Sequence, residues 1–178
     1  MKHLKSLLPL LLSLTAVMTP LASYALPSDR EQPIHIASDS AERNEKKGVT
    51  VYQGDVEMTQ GSLKILADKV VIHSIDNQIS VIVATGKPAH FHQKPAVDKQ
   101  AVKASGNTIE YKLDDEMLHL SRNAKLTQDD GTTMTGDRIN YDMKSSVVKA
   151  DGKTNNTRQQ RIHMVIPPKS ERQKAAGE

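Results

Sequence analysis

The chain has 178 residues, 37% of them hydrophobic and 25% charged, with no cysteine and few aromatics: one Phe, four Tyr and no Trp. Setting aside the first 25 residues removes Lys2 and Lys5 and no acid, leaving 22 Lys+Arg against 21 Asp+Glu. That near-neutral balance gives nucleic-acid binding no support, and the absence of cysteine excludes a disulfide framework, which suits a bacterial periplasm.

Residues 1–25 read as a secretion signal. Lys2, His3 and Lys5 form a positive start, Leu7 to Leu14 an apolar stretch too short for a comfortable membrane span, and Ser23-Tyr24-Ala25 a small-residue cleavage site. Residues 26–168 are expected to form one domain, with an interior built from Val, Ile, Leu, Met and Ala. From Lys169 onward no apolar period is left, and Pro167-Pro168 separates this polar tail, 169–178, which is expected to be disordered.

The first alternating strand follows Gln32-Pro33, with Ile34 and Ile36 on one face and His35 on the other. From there a unit recurs about four times. Its starts are marked by Ser38-Asp39, Ala67-Asp68, Gly106-Asn107 and Gly136-Asp137, with the Asp/Asn positions 29, 39 and 30 residues apart, and these are expected at turns where strands begin. A second half-unit also repeats. Gly54-x-Val56-x-Met58-x-Gln60 corresponds to Arg122-x-Ala124-x-Leu126-x-Gln128, and Gly86-Lys87-Pro88-Ala89-x-Phe91-x-Gln93 carries one extra residue at the proline.

Alternation at Ile79-x-Val81-x-Val83, Ile109-x-Tyr111-x-Leu113 and Leu118-x-Leu120 predicts strands. Turns are predicted at Lys46-Lys47-Gly48, Asp76-Asn77, Asp114-Asp115, Asp129-Asp130-Gly131 and Asp151-Gly152. Val49 and Val51 are odd-numbered whereas Val56 and Met58 are even, so a bulge or sharp bend is expected at Gly54. The fold class is therefore all-β, without helices after the signal: an antiparallel sandwich or jelly roll of repeated strand pairs, with a parallel β-helix as its rival.

Candidate chemistry is sparse. His90-Phe91-His92 could clasp a metal, since i and i+2 share a strand face, but Phe91 turns inward, both histidines turn outward, and no third ligand is evident. The serines lack a nucleophile elbow, and the paired aspartates read as turn formers. Asn155-Asn156-Thr157 is a bare glycosylation sequon. No enzyme, cofactor or metal site is expected.

Several segments in order resemble the OstA-like family of periplasmic lipopolysaccharide transport proteins. They are Gln32-Pro33-Ile34-His35-Ile36-x-Ser38-Asp39, Gly54-x-Val56-x-Met58-Thr59-Gln60-Gly61, Lys64-Ile65-x-Ala67-Asp68-Lys69-Val70-Val71, Gly86-Lys87-Pro88-Ala89-x-Phe91 and Gly136-Asp137-x-Ile139-x-Tyr141. The resemblance covers most of residues 32–143; Arg122 departs from the repeat glycine, and the loop Gln93–Gln100 and the tail are individual. It implies a slightly open, twisted jelly roll that carries lipopolysaccharide across the periplasm from inner to outer membrane. Each acyl chain of about a dozen CH₂ groups costs on the order of 10 kcal/mol to expose, so an apolar slot would hold the lipid A chains. The implied slot residues are Ile34, Ile36, Phe91, Tyr111 and Leu113. The implied partners are lipopolysaccharide, further copies stacked head to tail through sheet edges, and inner-membrane-anchored and outer-membrane Lpt components of related fold. Two readings compete with it: a periplasmic β-repeat scaffold that binds proteins and has a dry interior, and a metal or carbohydrate enzyme using His90 or His92.

Overall fold

The computed structural model describes residues 29–94, 99–152, 154–155, 158–159 and 161–169. The expected signal peptide, residues 170–178 of the tail, the middle of the 93–100 loop and two residues of the sequon lie outside the described residues. The strands are β1 (His35–Ala37), β2 (Ser40–Asn44), β3 (Val49–Gln60), β4 (Leu63–Ile75), β5 (Gln78–Gln93), β6 (Val102–Lys112), β7 (Met117–Gln128), β8 (Thr133–Asp142), β9 (Val147–Asp151), β10 (Thr154–Asn155), β11 (Arg158–Gln159) and β12 (His163–Val165). Among the described residues up to the last strand, helical geometry is confined to two short 3-10 turns, Asp29–Glu31 ahead of β1 and Glu45–Lys47 between β2 and β3.

From β3 to β8 each strand pairs antiparallel with the next. At one edge β1 and β2 pair with successive stretches of β3; at the other, β12 and β9 pair with successive stretches of β8. Every described ladder is antiparallel, which removes the parallel β-helix. Four of the five predicted turns fall where the sequence placed them, and Asp151 instead ends β9: Asn44 caps the 3-10 turn and Gly48 closes it at φ +61, and Asp76-Asn77 sit at φ +50 and +62.

A line of register breaks crosses the whole sheet. It passes between Gln53 and Val56, Leu66 and Lys69, Thr85 and Ala89, Ser105 and Thr108, and Ser121 and Ala124. Each long strand bends there, so its two halves belong to two facing sheets. The repeat markers Ala67-Asp68, Gly106-Asn107 and Gly136-Asp137 lie on this line, in the middle of β4, β6 and β8 rather than at turns where strands begin. Small and Asx residues recur there because a corner needs a tight backbone, not because a strand starts.

Gly54 does mark a bend, at φ +83 followed by Asp55 at +39. The expected change of face does not occur on that strand: Tyr52 packs toward the core together with Val56 and Met58, and Val49 and Val51 lie on the opposite face. The bulge places one extra residue on β3 relative to β4, and through the left-handed pair Gly54-Asp55 the even-numbered positions of β3 stay inward on both sides of it. Arg122 and Asn123, at φ +61 and +57, do the same on β7. On β5 the inward residues are Ile82 and Ala84, and Val81 and Val83 face out. The run Ile79–Ala84 is almost uniformly apolar, so alternation alone could not choose its face.

Candidate functional site

The pleat turns the sequence repeats into apolar rows. On one sheet Tyr52, Val70, Ala84, Ile109, Leu120 and Ile139 lie side by side across six strands, and Ala150 extends the row into β9. On the facing sheet Ile36, Met58, Ile65, Phe91, Ala104 and Leu126 form an equivalent row, which continues through Met134 to Met164. Both rows run from one open edge of the sandwich to the other.

The five residues marked in the sequence divide into two groups. Ile34 and Ile36 are half-buried and line a cleft of about 390 Å³ at the β1/β2 edge. Its opposite wall includes Tyr52, Ile72 and Ile79, which sequence reading had not assigned to the slot. Phe91, Tyr111 and Leu113 lie deeper and are closed off from solvent, at 2%, 4% and 8% exposure. Phe91 meets Tyr111 edge to face, with ring centroids 5.5 Å apart and planes at 72°. This contact joins the two sheets and is worth roughly 1 kcal/mol beyond its buried area. The space between the sheets is thus open at the β1/β2 edge and packed shut in the middle.

The glutamine ending each half-unit also points inward, at the strand ends furthest from the bend. Gln60 donates from Nε2 to the carbonyl oxygens of Arg30 and Gln32, at 3.4 and 3.1 Å, and Gln93 donates to Asp29 at 2.9 Å. Arg30 bonds the Leu113 carbonyl and lies 3.7 Å from Glu116. Residues 29–32 therefore cross between the sheets, tying the β3–β4 side to the β6–β7 turn. Burial raises the Tyr111 phenol above its usual range; Arg30 and a hydrogen bond with Gln93 oppose the shift, and Glu116 and Asp29 add to it. Tyr141 is raised for the same first reason, against hydrogen bonds from Ser146 and Gln128. The fixed spacing of Gln60, Gln93 and Gln128 was the signal for this polar border, but spacing does not reveal that they face inward.

His90 is exposed and His92 half-buried with its Nδ1 unpartnered; Phe91 between them turns in, as expected. Among the described residues no group of three His, Cys, Asp or Glu could hold a metal, and no helix is long and apolar enough to cross a membrane.

Residues 35–147 match the family model described as LptA/(LptD N-terminal domain) LPS transport protein. The lipopolysaccharide export system protein LptH of Pseudomonas aeruginosa is 44% identical over 170 residues, covering 93% of this chain and 97% of that protein. Escherichia coli K12 LptA is 34% identical over 145 residues, covering 80% and 77%. The crystal structure of Pseudomonas aeruginosa LptH, described as the LptA homologous periplasmic component of the conserved lipopolysaccharide transport device, matches with a TM-score of 0.71 at 43% identity. It covers 80% of this chain and all of that one. By fold, by sequence and by extent, this chain belongs to the LptA/LptD N-terminal family of lipopolysaccharide transport proteins.

Proposed function

We propose that this chain carries lipopolysaccharide across the periplasm, with the lipid A acyl chains held between its two sheets and the sugar kept outside. The observation that carries this reading is the continuity of the apolar rows to both open edges, with Ile34 and Ile36 forming one wall of an already open cleft. Acyl chains entering there advance by parting the Phe91–Tyr111 contact, exchanging one apolar neighbour for another at little net cost. Successive copies join head to tail, the β9/β12 edge of one adding strands to the β1/β2 edge of the next. Inner-membrane-anchored and outer-membrane Lpt components of related fold complete the bridge at its ends.

Photocrosslinking tests the slot directly. A photoreactive residue at Ile36 or Phe91 is expected to capture lipopolysaccharide, and one at outward-facing His35 or His90 is not. The closed middle of the sandwich favours a second reading, a dry scaffold that binds proteins alone. Failure of both inward positions to crosslink in folded protein would select that reading.

A further inference from the structure

Three donors converge on one carboxylate at the border of the slot. Asp29 Oδ1 accepts from the Ser62 backbone N–H at 2.6 Å, and Oδ2 accepts from Ser62 Oγ at 2.7 Å and from Gln93 Nε2 at 2.9 Å. The donors belong to the sheet. Ser62 sits in the β3–β4 turn and Gln93 ends β5, 6% exposed, with its Oε1 buried and unpartnered. Ser62 Oγ is fixed in turn by Lys94, accepting from its N–H at 2.9 Å and lying 3.0 Å from its carbonyl oxygen. Gly61, at φ +56, lets the turn approach closely, since a Cβ there would overlap the Asp29 carboxylate.

The carboxylate itself arrives on a three-residue turn outside the sheet. The receiving side is built into the sandwich; the occupant is a tethered anion. Donors that hold a carboxylate oxygen hold a phosphate oxygen by the same charge-assisted bonds. The location is also specific. Gln93 lies two residues beyond Phe91 on the same strand face, so an anion in this cradle would place its attached apolar chains against Phe91 and Tyr111.

We propose that the Ser62 N–H and Oγ and the Gln93 carboxamide form a phosphate-binding subsite for the phosphorylated headgroup of the glycolipid, and that Asp29 occupies it as an internal placeholder in the unliganded chain. The proposal rests on the acyl-chain reading above and deepens it. Headgroup and Asp29 compete for the same donors, so a phosphorylated lipid must displace the 29–32 segment, and the ties made by Arg30 and Gln60 go with it.

The test compares binding of bisphosphorylated lipid A with that of its dephosphorylated form, using the mature chain and its Asp29→Ala, Gln93→Leu and doubly substituted variants. Thermal melting verifies the fold of each. Asp29→Ala is expected to tighten binding of the phosphorylated lipid about tenfold, the equivalent of one charge-assisted hydrogen bond, and to leave the dephosphorylated lipid unchanged. Adding Gln93→Leu should remove the gain. If Asp29→Ala does not fold, Asp29→Asn keeps the side-chain shape with a weaker acceptor and should shift preference in the same direction. Wild-type protein that binds neither lipid would overturn the carrier reading itself. Wild-type binding of both lipids, with Asp29→Ala altering both equally or neither, would leave the carrier reading standing and overturn the subsite. The Ser62 amide resonance separates the sources of phosphate. In Asp29→Ala it should move with phosphorylated lipid and not with millimolar inorganic phosphate; a shift with inorganic phosphate that also erases the lipid preference would overturn the headgroup assignment.

Discussion

The two edges of the sandwich end the same apolar row in opposite ways. At the β1/β2 edge the row ends in half-buried Ile36, the neighbouring turn is tied down by Asp29, Arg30 and Gln60, and β2 presents the charged pair Glu42 and Arg43. At the β9/β12 edge it ends in Met164, 51% exposed, beside exposed Ile162, Val165 and Ile166. Apolar side chains on a bare strand edge favour strand addition, whereas charged ones restrict which strands can add to it. One end is therefore latched and the other sticky. A stack built from such units has a direction, and its two ends can be disabled separately.

The largest effect is expected from Ile36→Asp. A carboxylate at Ile36 would sit in the apolar row beside Met58, where it must stay ionised against apolar neighbours or disrupt them, a cost of several kcal/mol. Lipid A affinity should fall by at least about a hundredfold, measured by equilibrium binding, with the β-sheet circular dichroism retained. Retained affinity in the folded variant would remove Ile36 from the slot.

The opposite edge should respond in assembly. Deleting 161–166 is expected to abolish concentration-dependent growth in light scattering, and lipid binding to the isolated unit should persist. Val165→Lys is the milder probe, because Val165 lies on the outer face of β12 at 63% exposure and its change leaves the apolar row intact. It should weaken self-association about tenfold, the scale of one lost apolar contact plus a misplaced edge charge. Equal loss of lipid binding in both variants would mean that the two edges are not independent.

The inward faces of several strands were legible in the sequence and the difference between the two edges was not, and the reasons differ by feature. Strand alternation gave the inward faces of Ile36, Phe91, Tyr111 and Leu113 correctly, because the last three sit between polar neighbours and Ile36 alternates with Ile34 across His35. The facing wall was not legible. Tyr52 adjoins Val49 and Val51, which carry the apolar alternation but face outward, and only the left-handed pair Gly54-Asp55 explains why. The regular spacing of Asp68, Asn107 and Asp137 was plain, but spacing cannot distinguish a turn from a corner within a strand. The donors around Asp29 come from positions 33 and 64 residues away along the chain, and nothing local marks them.

Gly54→Ala tests the corner that separates the two sheets. The residue is at φ +83, and an added Cβ would run into the Asp39 side chain between β1 and β2. Left-handed strain and the displaced carboxylate together should cost about 1–2 kcal/mol, read as a lower denaturation midpoint with unchanged slope. The damage should be local to the latched edge, with faster amide exchange in β1 and β2 than in β9. Equal exchange at both edges would show that the corner supports the sheet as a whole.

The smallest effect is on titration, and it probes the latch without breaking it. Burial favours the neutral Tyr111 phenol, so its folded pKa lies above the unfolded value of 10.0. The neutral form's contribution to stability is therefore fully present below pH 10 and is lost as pH rises through the folded pKa. Tyr111→Phe keeps the ring against Phe91 but removes the hydroxyl that interacts with Gln93, a change of about 1 kcal/mol at neutral pH. That difference should shrink at alkaline pH, where wild type must ionise the phenol and the variant has none. Tyrosinate absorbance followed beside thermal melting gives both quantities, and Tyr141→Phe extends the comparison toward β9. Ionisation of Tyr111 at its ordinary pKa in folded protein would mean that solvent already reaches the middle of the slot, and that the tie across residues 29–32 does not hold it shut.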